Sequence, residues 1–159
     1  MTTLPTFTLT RHSARIAGIV LVSLVGVAYG GTYLLSLVSG HAEATEFQLA
    51  FARAGHAHAG VLLILALVCL LLADAVGARG ASGLVARLGV PLAAILMPLG
   101  FFASSAGSGT TEPNGLVALV WLGGLALAIG VLALGMQLLR AGWGRQDQPT
   151  PEPVSTQPS

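Results

Sequence analysis

Four long apolar stretches constrain this sequence more than any other feature. They cover about residues 16–38, 48–75, 84–102 and 116–139. Each is long enough for an α-helix to cross a hydrocarbon core of about 30 Å, which takes roughly 20 residues. Membrane β-strands are about ten residues long and alternate in polarity, which these stretches do not. The sequence therefore predicts an all-α, polytopic membrane protein whose four transmembrane helices pack as a bundle.

The composition agrees with a membrane location and excludes some partners. Hydrophobic residues make up 54% of the chain and charged residues only 8%, whereas roughly a quarter of a soluble domain is charged. The net charge of +1 comes without a Lys/Arg cluster, so we expect no nucleic-acid partner. The single cysteine, Cys69, cannot form an intramolecular disulfide. We expect the lipid bilayer of the cell (plasma) membrane to surround the protein.

Charged residues predict the orientation of the four stretches. Arginines precede the first stretch, lie between the second and third, and follow the fourth: Arg11, Arg15, Arg79, Arg87, Arg140 and Arg145. The other two connections contain the acidic residues Glu43, Glu46 and Glu112. Because positively charged flanks stay in the cytoplasm, we predict that both termini are cytoplasmic. The first stretch exceeds the 7–15 apolar residues of a signal peptide, so we interpret it as a retained helix.

Three segments follow from this pattern. We predict a mobile N-terminal segment (1–15), a transmembrane domain (16–140) and a disordered tail (141–159) whose sequence is rich in Pro, Gln and Ser. Within the domain, Gly26 and Gly30 form a GxxxG motif, and the fourth stretch has a comparable strip at Gly123, Gly124, Ala126 and Gly130. Such motifs allow close helix packing. We favour packing within one chain, with a homo-oligomer or a larger membrane complex as the alternative.

Ionisable side chains interrupt the second stretch in the segment FARAGHAHAGVL, residues 51–62. At about 100° per residue, His56 and His58 leave a helix roughly 200° apart, so they cannot hold one metal ion together. Arg53, His56 and Asp74 fall on one face, which we interpret as a structural polar face directed into the bundle. Ionisable residues inside a membrane usually face a partner or a watery cavity. This segment is therefore the candidate site.

Three interpretations of the histidines stay open. In the first, each histidine is structural and hydrogen-bonds a neighbouring helix, through a carbonyl or Thr32. In the second, His56 and His58 bind a haem or another cofactor with ligands from another helix or subunit. In the third, a proton or small solute moves between His56 and Asp74.

A metal ion is a variant of the second interpretation. Its ligands would converge at the outer leaflet from His41, Glu43, Glu46 and His56. Either cofactor, haem or a transition metal, would make the protein an accessory subunit of a respiratory or transport complex. The structural interpretation instead predicts a non-enzymatic membrane component with buried histidines, and we favour it. An independent enzyme ranks last, because no Ser/His/Asp arrangement, P-loop, Rossmann glycine pattern or CxxC is present.

The segment FARAGHAHAGVLLILALVCLLLAD resembles a signature of a family of small, uncharacterised four-helix integral membrane proteins of actinobacteria. The resemblance extends to AYGG at residues 28–31 and EPNGLVALVW at residues 112–121. It implies a four-helix membrane protein and no particular activity. A looser likeness, covering only His56 and His58, exists to the His-x-His pair of haem-copper oxidase main subunits. The remaining oxidase ligands are missing, since His12 and His41 lie outside the predicted bundle.

Overall fold

The computed structural model describes residues 8–144, and every structural statement below refers to this part of the chain. It contains helices α1 (Arg11–Val38), α2 (Glu46–Ala75), α3 (Gly80–Ser104) and α4 (Ala118–Gly144), with a short 3-10 turn at Gly115–Val117. All four helices are long and apolar enough to cross a membrane, and residues 8–144 contain no strand. The predicted all-α class with four candidate membrane helices is confirmed.

The helices begin with polar turns that hydropathy alone does not detect. The hydroxyl of Thr10 accepts a hydrogen bond from the Ser13 N–H at 3.3 Å, so α1 begins at Arg11. Residues 11–15, which belong to the predicted mobile segment 1–15, are therefore helical. Helix α4 likewise reaches Gly144, inside the predicted tail 141–159. The rest of those two predictions, residues 1–7 and 145–159, lies outside the described residues.

Helix α2 begins with a capping box. The Thr45 hydroxyl accepts from the Gln48 N–H, and the Gln48 side chain accepts from the Thr45 N–H, both at 3.1 Å. Reciprocal capping satisfies two of the backbone donors that every helix start leaves free. The start of α2, and with it the register of the histidine segment, is thereby defined by a short polar sequence.

Hydrogen bonds between helices show that successive helices run in opposite directions. The Thr10 N–H donates to Asp74, joining the start of α1 to the end of α2. The Gln48 amide donates to the Ser105 carbonyl, joining the start of α2 to the end of α3. Gln137, late in α4, donates to the Ser82 carbonyl at 3.2 Å.

This alternation brings most arginines to one end of the protein and most acidic residues to the other, with Arg53 and Asp74 as the exceptions. One end, here called the arginine end, carries Arg11, Arg15, Arg79, Arg87 and Arg140. The opposite end, called the glutamate end, carries Glu43, Glu46 and Glu112. The two ends therefore differ in charge.

The four helices pack as an open row, that is, a helix bundle that is not closed between α1 and α4. Each helix packs mainly against its neighbours in sequence, and α1 makes no contact with α4. The core lies between α2 and α3, where Ala66, Ala73, Ala86, Val90 and Ala93 are fully buried. In the most apolar part of α1 only 6% of the residues are buried, against 39% in α2 and in α3. Helix α1 is therefore peripheral.

Glycines close the crossing of α3 and α4. A Cβ atom on Gly89 would lie 2.5 Å from the Gly130 Cα, and one on Gly123 would lie 2.5 Å from the Met97 Cγ. The strip in α4 thus packs within the chain, as predicted. A Cβ on Gly26 would meet no atom within 4 Å, and one on Gly30 only the His56 ring at 3.9 Å. The α1 motif therefore makes no close crossing within the described chain, which differs from the favoured packing within one chain.

Candidate functional site

His56 lies on the side of α2 that faces α1. Its ring is half-buried, and a Cβ atom on Gly31 would lie 3.4 Å from the ring Cε1. No group among residues 8–144 hydrogen-bonds its ring nitrogens. Thr32, the partner named above, instead donates its hydroxyl to the Tyr29 carbonyl at 2.6 Å. Neither a carbonyl nor Thr32, the two partners that the structural interpretation expects, therefore bonds His56 within residues 8–144.

His58 lies on a different side of the same helix, as the helical periodicity predicts. Its Nδ1 is 2.7 Å from the Ala54 carbonyl oxygen. Because a carbonyl only accepts, Nδ1 donates this bond. The ring packs against Phe101 at 5.1 Å between centroids, and Phe51 packs against the same Phe101 at 5.4 Å. His58 is thus bonded within its own helix and packed on α3.

The remaining residues of the outer cluster do not converge. Arg53 is exposed, so it is not directed into the helix row with His56 and Asp74 as predicted. His41 is exposed and its Nδ1 lies 2.7 Å from the Ser39 hydroxyl. Glu43 and Glu46 are exposed as well. Across residues 8–144 no three His, Cys, Asp or Glu side chains lie close enough to hold a metal ion. The predicted metal ligands would therefore need a second molecule to complete a site.

Asp74 belongs to a buried polar cluster at the arginine end. Its side chain is 1% exposed, and its Oδ1 lies 2.7 Å from an Arg87 guanidinium nitrogen. Arg87 Nε and the Ser13 hydroxyl also donate to Oδ1, at 3.2 and 3.0 Å. The Thr10 N–H donates to Oδ2 at 2.8 Å. We call Thr10, Ser13, Asp74 and Arg87 the Asp74 cluster; it joins α1, α2 and α3.

Arg87 also closes the connection between α2 and α3. Its second terminal nitrogen donates to the carbonyls of Ala78 at 2.8 Å and Gly83 at 3.1 Å. Sequence reasoning treated Arg87 only as a marker of orientation and missed this role. The available signal was a lone Asp and an Arg placed on either side of one short connection, where antiparallel helices bring them together.

Two cavities lie near His56. The first, here called the cleft, has a volume of about 700 Å³ and opens at the glutamate end; its wall includes Tyr33, Glu43, Gln48, Phe102, Ser105 and Gly107. The second, called the groove, has about 260 Å³ and lies between α1, α2 and α3; its wall includes Ser23, Gly26, Gly30, His56, Leu63 and Phe102. The cleft is polar in half of its wall, whereas the groove is mostly apolar.

Comparison with known proteins yields no relative. No family model matches the chain, and no curated protein and no solved structure matches it either.

Proposed function

We propose that this protein is a multi-pass component of the cell (plasma) membrane with both termini in the cytoplasm. Its role is non-enzymatic: it acts as a helical subunit that associates with copies of itself or with a larger membrane complex. The observation that carries the proposal is the open row of helices. A chain whose function needed an enclosed interior would be expected to bring α1 against α4, and these helices do not touch.

The exposed side of α1 supports the subunit role. Val22, Val25 and Tyr29 are 74%, 71% and 78% exposed and follow one another at helical spacing. The opposite side of the helix is tied to the rest of the protein by the Asp74 cluster. Helix α1 is thus held firmly at one end and presents a long apolar side to lipid or to a neighbouring helix. The orientation rests on the arginine end facing the cytoplasm.

Cysteine cross-linking in intact membranes tests the subunit role. With Cys69→Ala as background, Val25→Cys places a thiol on the exposed side of α1, and Val20→Cys, at a position only 4% exposed, is the matched control. We expect oxidation to convert Val25→Cys into an adduct of defined mass, either twice the chain or the chain plus one partner. A protein that stays monomeric in both variants would contradict the proposal.

A haem- or metal-binding accessory subunit is the second candidate. It is favoured by His56, which lines an apolar groove and whose ring nitrogens have no hydrogen-bond partner among residues 8–144. The residues do not fit a haem within one chain, because the groove of about 260 Å³ is smaller than the roughly 300–1,000 Å³ of small-molecule sites. His58 also points elsewhere. A second copy would have to supply both space and a ligand.

Absorption spectroscopy with elemental analysis of the purified protein separates the two candidates. The structural role predicts no haem bands and no stoichiometric metal. Bands that disappear in His56→Ala but persist in His58→Ala would favour the accessory subunit instead.

A proton path has less support, because the described part of α2 between Gly60 and Ala73 is apolar and Asp74 is bonded to Arg87.

A further inference from the structure

Phe102 lies between two cavities of different character. The cleft and the groove both include Phe102 in their walls. On α2 the cleft reaches Ala52 and the groove begins at His56, one helical turn or about 6 Å further along the axis. A polar cleft at the glutamate end therefore lies next to an apolar groove between the helices, and Phe102 is the residue that the two walls share.

Glycines of α1 keep the groove open. A Cβ atom on Gly26 would meet nothing within 4 Å, whereas one on Gly89 would lie 2.5 Å from the facing backbone of α4. The space beside Gly89 at the α3–α4 crossing is thus filled by protein atoms, whereas the space beside Gly26 in the groove is empty. Its size, about 260 Å³, lies just below the roughly 300–1,000 Å³ typical of compact ligands. It suits a flexible alkyl chain better than a fused ring system.

The cleft favours a positive charge. Glu43 is the only acidic residue among the described residues that line the two cavities, and no arginine lines either of them. Gln48 and Ser105 add polar groups to the same wall. Oppositely charged groups across a binding surface select partners and orient them. A cationic group in the cleft would meet attraction from Glu43 and repulsion from no lining residue.

We propose that the cleft and the groove together bind a single-chain amphiphile with a cationic head group. The head lies in the cleft, on the side of Glu43, and the alkyl chain lies in the groove along Gly26, Gly30 and Leu63. His56 lines the groove one helical turn from Ala52 in the wall of the cleft. It offers its ring nitrogens to an amide or ester linkage below the head. This ligand site goes beyond the structural role proposed above and does not depend on it.

Photo-cross-linking in nanodiscs of phosphatidylcholine tests the site. The probe is a fatty acyl amide of ethylenediamine with a diazirine at the end of its chain. The competitors are the same amide without diazirine and the N-acyl taurine of equal chain length, which reverses the charge of the head. We expect adducts concentrated in residues 23–30 and 59–63, removed by the cationic competitor and not by the anionic one. Adducts spread evenly over all four helices, or equal competition by both compounds, would overturn the proposal.

Two matched pairs of variants locate the ligand. Gly26→Leu fills the groove, whereas Gly18→Leu makes the same change on α1 at a position that is equally free of neighbours and does not line the groove. We expect Gly26→Leu to reduce labelling at least tenfold and Gly18→Leu to leave it unchanged. Equal labelling of the two variants would contradict the groove as the site. Both positions have free space, so melting temperatures near that of the parent are expected for each.

The second pair concerns the head group. Glu43→Gln is expected to weaken binding of the cationic probe roughly threefold, the size typical of an exposed charge interaction. Glu46→Gln, an exposed glutamate that does not line the cleft, is the control and should change nothing. If both substitutions act alike, general surface charge and not a head-group site explains the binding.

Discussion

The guanidinium of Arg87 lies 2.7 Å from the carboxylate of Asp74, at the junction of α2 and α3 and against the first turn of α1. Both side chains are almost fully enclosed, with 12% and 1% of their surfaces exposed. A buried ion pair is costly to assemble and more costly to break, because removal of one partner leaves an uncompensated charge. The pair therefore acts as a fixed connection among three helices.

Removal of either charge should destabilise the protein. We expect Arg87→Ala to lower the free energy of unfolding by about 3 kcal/mol, the low end of the range for a broken buried pair, because Arg87 retains some solvent contact. Asp74→Ala should cost a similar amount, and the double variant less than the sum. Thermal unfolding in mild detergent measures all three. Arg79→Ala, an exposed arginine in the same connection, is the control; an equal loss there would contradict a specific role for Arg87.

The crossing of α3 and α4 should not tolerate a side chain on Gly130. A Cβ there would lie 2.8 Å from the Gly89 Cα, against backbone that cannot move aside. We expect Gly130→Val to cost at least about 1–3 kcal/mol, as overpacking does. Gly124→Val, on the same helix with nothing within 4 Å, should be nearly neutral. Similar melting temperatures for both variants would show that the helices cross elsewhere.

Gln48 should contribute more to the stability of the glutamate end than Glu46, which is exposed in the same turn. Its amide donates to the carbonyls of Ser105 at 3.0 Å and Gly107 at 2.7 Å, and its oxygen completes the α2 cap. Gln48→Ala leaves these partners unsatisfied, so we expect a loss of about 1–3 kcal/mol in unfolding free energy. Glu46→Ala serves as the comparison, since Glu46 is exposed in the same turn. Equal stability of the two variants would contradict the role given to Gln48.

The two histidines should differ in their effect on stability. His58 packs against Phe101 and donates to Ala54, so we expect His58→Ala to cost about 1 kcal/mol. His56→Ala should cost less, because its ring has no hydrogen-bond partner within residues 8–144 and borders the groove. Unfolding of both variants under identical conditions makes the comparison. A larger loss for His56→Ala would reverse our assignment of the structural histidine.

The sequence predicts the helices well because hydropathy and length depend only on local residues. The separation of His56 from His58 was predictable for the same reason, since it follows from the helical turn alone. The sequence does not predict which side of each helix packs against a neighbouring helix. The sequence predicts Arg53 on the interior side with His56, but only His56 is covered by α1, and Arg53, one turn earlier, is exposed.

Contacts between distant segments explain the other omissions. Ser13 and Asp74 are 61 residues apart in sequence, and their hydrogen bond forms only when α1 packs against α2. The polar first turn of α1 then becomes helical because Asp74 and the Thr10 cap satisfy its free groups. Hydropathy omitted this turn as too polar, although its polarity is what joins it to the neighbouring helix.

Thiol labelling of intact cells tests the membrane orientation most directly. In a Cys69→Ala background, Thr111→Cys marks the glutamate end and Ser82→Cys the arginine end, both at exposed positions. A membrane-impermeant maleimide is expected to label Thr111→Cys in intact cells and Ser82→Cys only after permeabilisation. Labelling of Ser82→Cys from outside, with Thr111→Cys protected, would contradict the cytoplasmic location of the Asp74 cluster and the outer location of the histidines.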